Sequence, residues 1–533
     1  MNPSMRHRYT MLLWFVVLLV SAAAFLGVRR VEAPMNRHPL TGEASLIEPD
    51  AMVRWRLVER AWAGEPAAIR WIDDDQAPVG RINEWTSPTT LLGLAAARAL
   101  HASGMPADEA LRSAGQGLSV AIGLAGLILL GVCGWAVGGP WIGALWMLAW
   151  PVLPDVVAVT RLGNPDHHAL HQLLWIGMAG GLLAGAGTCP RGWGVVTGVF
   201  GGLALWSAGS ELLPAWLLVA GWLSVEVITG TCDERRRAYW RGWWITGLLV
   251  SLAAYGYEFG FGTWQDRLEL LSPWHLLLWV LAGIVAERAS GRTPVVRGLV
   301  IGGAVLVAVL AALALRGWDL HDLHVVQDVR FQRQMAITRE FAPLAPGWGG
   351  LVGALWSMYG FMPLLAAALA FRFRERKASE RWLVFAVIGF LVLCLQQMRW
   401  ADFLVVVLVM AAGLGAERLA GSRRWLAVVL IAVAVLPLWR QPVALARDIV
   451  RVQGDAWAGP HRETFVLQSI AACIGDAERR PVVLAPWDCG SALAGAGTVR
   501  VLGSAYWSNL EGTAVGAEAL VTEDAAVLRQ ILN

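Results

Sequence analysis

The sequence predicts a mainly α, polytopic membrane protein of about thirteen transmembrane helices, followed by a small C-terminal α/β segment. Three observations carry this expectation. The 533-residue chain is 56% hydrophobic and only 16% charged, whereas soluble domains are roughly a quarter charged. Its apolar residues collect in long runs between polar loops, with a mean hydropathy of +0.53. Basic residues concentrate in every second loop, the signature of alternating sidedness. The net charge of +3 gives no reason to expect a nucleic-acid partner. Six cysteines lack CxxC metal spacing. Thirty Trp residues suit a protein with many interfacial girdles.

The N-terminal MNPSMRHR is basic, and Tyr9 to Val28 is charge-free and long enough to span the hydrocarbon core. A cleaved signal peptide is the rival, with small residues at Ser21 to Ala24. The apolar stretch exceeds the signal core of about 7–15 residues, so it reads as a first transmembrane helix with a cytoplasmic N-terminus. A polar loop follows, from Arg29 to about Pro88. Within it, EPDAMVRWRLVERAWAG reads as an amphipathic helix, because Met52, Trp55, Val58 and Trp62 recur at three- and four-residue steps. Asp50 stands at its start, either as an N-cap or as a ligand. Asp73, Asp74 and Asp75 form an acidic run that is either a solvated loop or a metal cluster.

Further apolar runs fall at about 117–138, 141–158, 168–187, 193–209, 212–229, 241–256, 272–287, 296–316, 350–371, 381–397, 401–416 and 424–439. With the N-terminus inside, CDERRRAYWR, ERASGRTPVVR, RFRERKASER and ERLAGSRR all become cytoplasmic loops. Residues 1–439 thus form a transmembrane domain with external loops at about 29–88 and 317–349. Residues 440–533 form a short extracytoplasmic segment of a multi-pass protein of the cell membrane.

Every polar feature that carries chemistry then lies on the outer side. GNPDHHAL holds Asp166, His167 and His168, and Asp-x-His on one turn can give a divalent metal an oxygen and a nitrogen. The alternative is that Asp166 caps the next helix after Pro165. The 317–349 loop is long for a connection without regular structure. It ends in ITREFAPL, where Glu340 is a site candidate or a surface partner of Arg339 or Arg333. Arg399 opens a span in QQMRWADFL, where a charge needs a partner or a ligand. Its guanidinium suits a lipid-linked phosphate, or else it snorkels to headgroups. In RPVVLAPWDCG, an apolar strand (Val482, Val483, Leu484) runs into a polar turn with Trp487 and Asp488. That pair is a binding element, or a buried Trp beside a turn-capping Asp.

Taken together these motifs resemble the catalytic subunit of oligosaccharyltransferase, a GT-C glycosyltransferase, in its single-subunit archaeal and bacterial form. DAMVRWRLVE matches the family's first-loop pattern of Asp, then His four residues on and Arg six on, with Arg54 in place of the His and Arg56 retained. GNPDHH is similar to the second acidic motif, and ITREFAPL to the external-loop motif ending in Glu, with Ile337 and Thr338 departing from it. PWDCG is similar to Trp-Trp-Asp-Tyr-Gly, which reads the acceptor Ser or Thr, with Pro486 and Cys489 as departures; AYWSN fits the run that follows. The resemblance covers the chain end to end. It stops at Asn533, where the family usually continues into a larger domain with a further acceptor contact.

The resemblance implies transfer of a glycan from a polyprenyl (pyro)phosphate carrier to the side-chain amide of Asn in Asn-x-Ser/Thr acceptor polypeptides. It implies Asp50, Asp166 and Glu340 as catalytic carboxylates. With His168 these would hold Mg2+ or Mn2+, a preference that fits oxygen-rich ligation. It further implies Arg399 on the donor phosphate and Trp487 and Asp488 on the acceptor. The runner-up is a transferase moving one sugar from a polyprenyl phosphate to a lipid, polysaccharide or protein hydroxyl. A transporter of lipid-linked glycans is the third reading, but transporters place charges near the midplane, whereas these cluster at one face.

Overall fold

The computed structural model describes residues 3–38, 41–186, 190–263, 265, 267, 270–289, 292–315, 342–344, 347–370, 377–440, 442–444, 447, 461–475, 479–504 and 509–522. Every apolar run of the sequence coincides with helix. The helices are α1 (Pro3–Glu32), α2 (Pro49–Trp62), α3 (Pro88–Ala102), α4 (Ala107–Gly138), α5 (Pro140–Ala149), α6 (Pro154–Val159), α7 (His168–Ala184), α8 (Pro190–Ser207), α9 (Gly209–Thr229), α10 (Glu234–Phe259), α11 (Pro273–Ile284) and α12 (Pro294–Leu315). They continue as α13 (Gly347–Tyr359), α14 (Met362–Ala370), α15 (Ala378–Gln396), α16 (Ala401–Ala420) and α17 (Arg424–Val435), then α18 (Arg462–Ile474), α19 (Trp487–Gly495) and α20 (Leu510–Val521). The expected span over 141–158 is broken between α5 and α6, where Pro151 and Pro154 remove backbone donors. The 350–371 run is two helices bent by 104°. Among the described residues, five helices are each long and apolar enough to cross a membrane, or six if that bent pair is one span.

Helix α16 lies at the centre of the bundle. It is buried on nearly all sides from Ala401 to Ala416, as its unbroken apolar run requires. Its carbonyls are used by neighbours: the Trp175 indole donates to Phe403 O at 3.0 Å and the Trp146 indole to Met410 O at 3.1 Å. Trp146, Trp150, Trp175, Trp240, Trp243, Trp279 and Trp382 are among the largest fully buried side chains. Much of the tryptophan expected at the membrane interfaces is therefore core. Helix α1 joins the bundle through Arg29, 1% exposed, which donates to Pro151 O at 2.8 Å and Val156 O at 3.1 Å.

Outside the apolar helices, loop 29–88 and the C-terminal segment are built against each other. The loop contributes α2 and a small antiparallel hairpin of β1 (Trp71–Ile72) and β2 (Arg81–Ile82). The C-terminal segment contributes α18–α20 and a parallel pair of β3 (Val482–Val483) and β4 (Arg500–Val501). The Asp73–Asp75 run joins them. Asp75, 1% exposed, pairs with Arg81 Nε at 2.5 Å and accepts from Ser504 Oγ and Asn509 Nδ2, each at 2.6 Å. Val501 N donates to Asp74 O, and Ala77 N to Val501 O, both at 2.9 Å. Arg480 is salt-bridged to Asp74. Two of the three carboxylates are thus buried parts of a latch, and only Asp73 is largely exposed.

Arg81 and Asp75 are both about 1% exposed at the side chain, so removing one partner leaves an uncompensated buried charge. Arg81→Ala is expected to cost about 3–5 kcal/mol and to release the C-terminal segment. Thermal unfolding and limited proteolysis in detergent check this; cleavage within 479–504 no faster than in the unmodified chain contradicts it.

Candidate functional site

Four elements from distant parts of the sequence meet at one end of the bundle: the start of α2, the turn before α7, and the starts of α9 and α16. The turn comes first. Gly163 has φ of +73°, and a Cβ there would meet Ser45 O and the Gln116 side chain. Only glycine holds this conformation without strain. It is pinned by Ile47 N donating to Gly163 O and Gly163 N donating to Gln116 O, each at 3.0 Å. The chain then delivers Asp166, 6% exposed, one residue ahead of the N-cap position of α7. Asp166 Oδ1 accepts from His167 N at 2.7 Å and from His167 Nδ1 at 2.5 Å. It also meets Arg54 Nε at 2.9 Å, and Oδ2 lies 3.4 Å from His168 Nε2. Asp166 is therefore not the cap of α7: His167 holds that position, and no side chain caps the helix.

Asp50 is not the cap of α2. Glu48 holds that position, its carboxylate accepting from Ala51 N at 2.7 Å, and Asp50 falls in the first turn. Burial, reinforced by the charges of Asp50 and Asp166, pushes Glu48 well above the usual carboxyl range. Burial works in the same direction on Asp166, but His167, His168 and Arg54 outweigh it and hold that carboxyl well below its ordinary range. Glu48, Asp50 and Asp166 therefore converge closely enough to repel one another. Such a set, with His168 beside it, fits a hard divalent cation, which relieves like-charge repulsion that protonation of Glu48 otherwise absorbs.

Arg54 occupies the position where the family resemblance expects a His. Its guanidinium stacks 3.9 Å from the Trp85 ring, so a fixed positive charge stands beside Asp166. Arg399, in a one-turn 3-10 segment before α16, pairs with Glu211 at 2.9 Å. His168 Nδ1 lies 3.0 Å from Asp402 Oδ2, and Gln172 Nε2 donates to Asp402 Oδ1 at 3.4 Å.

Asp50, Asp166, His168 and Arg399 therefore sit on elements that meet. Glu340 lies outside the described residues, as does most of the 317–349 loop. Ala342, two residues on, accepts from Met398 N at 2.7 Å, next to Arg399. Trp487 and Asp488 begin α19, so the expected polar turn is the first turn of a helix; their side chains lie outside the described part. That helix packs on α2: a Cβ at Gly495 would strike Met52. Gly490 is required by a close approach to the Gly503 backbone.

Sequence reasoning missed Glu48, Glu211, Asp402 and His171. Glu211 and Asp402 carried the signal used for Arg399, a charge at the outer start of an apolar run. HHALH carried a helical three- and four-residue His spacing. Glu48 gave only a capping signal.

No family model and no curated protein matches this chain. Solved structures do. The archaeal oligosaccharyltransferase AglB from Archaeoglobus fulgidus, in complex with an inhibitory peptide and a dolichol-phosphate, superposes with a TM-score of 0.76 at 17% identity, covering 97% of this chain and 68% of that one. The Archaeoglobus fulgidus oligosaccharyltransferase tethered to an acceptor peptide containing the NVT sequon gives 0.73 at 15% identity, covering 97% and 67%. Its complex with Zn and sulfate gives 0.68 at 16%, covering 97% and 66%. The chain has the fold of the archaeal oligosaccharyltransferases, a mainly α membrane fold, as the motif resemblance implied. It spans about two thirds of the length of these structures.

The Arg54–Asp166 pair is nearly buried, with side-chain exposures of 10% and 8%. Because Asp166 keeps His167 and His168, Arg54→Ala is expected to cost about 2 kcal/mol, less than loss of Arg81. Paired denaturation curves for the two variants check the order; equal or reversed losses contradict it.

Proposed function

We propose that this protein is a membrane glycosyltransferase that moves a glycan from a polyprenyl (pyro)phosphate carrier to the side-chain amide of Asn in Asn-x-Ser/Thr acceptors, outside the cytoplasm. The observation that carries the reading is a charged cluster in which Asp166 meets Arg54 and His168 while Glu211 meets Arg399 and His167, within a fold superposing over 97% of the chain on an oligosaccharyltransferase. The neighbours crystallised with dolichol-phosphate and with acceptor peptide support the same substrate classes. The charge bias of the loops supports about thirteen spans with the site and C-terminal segment outside the cell membrane.

The amide nitrogen attacks the anomeric carbon of the glycan and gives up one N–H proton to a neighbouring carboxylate, the bond from that carbon to the carrier oxygen breaks, and the phosphate leaves with the electron pair. Amide nitrogen is a weak nucleophile because its lone pair is delocalised into the carbonyl. Asp50 and Glu340 accept hydrogen bonds from the acceptor NH2 group and favour a twisted amide. Arg399 meets the developing charge on the phosphate with its planar fork. Asp50, Asp166, His168 and Glu340 would hold Mg2+ or Mn2+, which when bound would supply further electrostatic stabilisation of the leaving group. Trp487 and Asp488 offer an apolar wall and a carboxylate to the acceptor Thr or Ser.

A peptide series with Thr, Ser or Ala two residues after Asn tests the reading. Leaving the Asp488 carboxylate without its hydroxyl should cost about 1–3 kcal/mol, so Ala peptides should be transferred roughly 5- to 150-fold less well. Equal transfer to Ala and Thr peptides moves the hydroxyl-acceptor, single-sugar reading to first place.

Asp166→Asn, and chelation of the unmodified protein, should each abolish transfer while the protein stays folded in detergent. Activity that survives both removes the metal from the reading. Arg399→Lys keeps the charge but loses the fork, so it should raise the donor KM far more than the acceptor KM. Equal effects on both assign Arg399 a purely structural part.

A further inference from the structure

Behind Asp166, away from the Glu48–Asp50–Asp166 carboxylates, lies a second donor set of different chemistry. His167 is 8% exposed and His171 1% exposed. His167 Nε2 and His171 Nδ1 lie 3.2 and 3.4 Å from the same atom, Glu211 Oε2. One ring nitrogen from each of His167, His168 and His171 falls within 4.8 Å of the others.

His167 is held by hydrogen bonds on both ring nitrogens, from Nδ1–H to Asp166 Oδ1 at 2.5 Å and between Nε2 and Glu211 Oε2 at 3.2 Å. Arg54 Nη2 meets that nitrogen only at 3.4 Å. Neither ring nitrogen of His171 has a hydrogen-bond partner, although both are buried. A buried imidazole without a hydrogen bond thus stands in a cluster of three histidines and a carboxylate, an arrangement that a cation would satisfy. The spacing fits one: two metal–ligand bonds of about 2.0–2.1 Å at a tetrahedral angle put their donors about 3.4 Å apart. A carboxylate that fixes the far nitrogen of a ligating imidazole is the usual outer support of such a site, and Asp166 stands in that relation to His167.

We propose that His167 Nε2, His171 Nδ1 and Glu211 Oε2 form a binding site for a borderline transition-metal cation of the Zn2+ class, distinct from the carboxylate pocket that suits Mg2+ or Mn2+. Two imidazoles and one carboxylate select for such an ion. The fourth position is left to water. Glu211 Oε1 meanwhile accepts from Arg399 at 2.9 Å. A cation on Oε2 therefore fixes the carboxylate that holds the phosphate-directed guanidinium, and the metal site becomes a support for Arg399. The proposal does not depend on the transferase reading.

The test uses the full chain purified in detergent, stripped with chelator, loaded with Zn2+ and passed through gel filtration. Bound zinc is counted by mass spectrometry, and the zinc-edge X-ray absorption spectrum is recorded. The expected result is zinc retained by the unmodified protein and by Asp50→Asn. His171→Ala and Glu211→Gln should each weaken binding at least tenfold, and the spectrum should carry the scattering pattern of two or more imidazoles. Zinc held equally by His171→Ala and Glu211→Gln, or no zinc retained by the unmodified protein, overturns the proposal. If neither variant folds, the spectrum of the unmodified protein decides alone, and an oxygen-only shell overturns the site. No donor or acceptor enters this assay, so its failure leaves the transferase reading standing, and failure of the peptide series leaves the site standing.

Discussion

The buried ion pair between Arg54 and Asp166 joins the two halves of the site. Arg54 belongs to α2 in the first external loop, and Asp166 to the turn that starts α7 in the bundle. Their 2.9 Å contact is held on one side by Trp85 stacking and on the other by His167. With α2 already packed on the core through Trp55 and Val58, the pair ties the helix that carries Asp50 directly to the Asp166 turn. Such a pair gains little net stability against its desolvation cost. Its value here is position, because a half-satisfied arrangement is costly and only one geometry satisfies every member.

The site as a whole is an exercise in charge balance at a membrane face. Glu48, Asp50, Asp166, Glu211 and Asp402 bring negative charge into a partly buried space, and Arg54 and Arg399 oppose them. Each cation already has a carboxylate, while Glu48 carries the surplus and is driven towards its neutral form. That surplus is the physical ground for a divalent ion in the carboxylate pocket. The unmet ring nitrogens of buried His171 are a separate imbalance, and imidazole donors call for a softer ion. Glu211 links the two regions through its two oxygens.

The C-terminal segment is placed by polar contacts as well as by apolar packing. Asp75 alone bonds to Arg81, Ser504 and Asn509, and α19 rests on α2 through Gly495. The helix that begins at Trp487 and the helix that carries Asp50 are thus packed as one unit. Directional contacts fix register where a small apolar core would allow sliding.

Apolar run length is a local property, so the sequence by itself determined the helices and their order. Gly163, Pro165 and Asp166 were readable as a turn into a helix for the same reason. The motifs that carry the family resemblance were legible because each is contiguous. Pairings across long separations were not: nothing local says that Asp75 meets Asn509, that Glu211 meets Arg399, or that Glu211 reaches two histidines of another helix. An acidic run in a loop reads as solvated until the partner that buries it is known. A Trp-rich apolar sequence reads as interfacial until packing shows which indoles find a carbonyl inside. Tertiary structure alone decided these, because burial and pairing depend on which elements pack together, and that is fixed by the whole set of contacts rather than by any one segment.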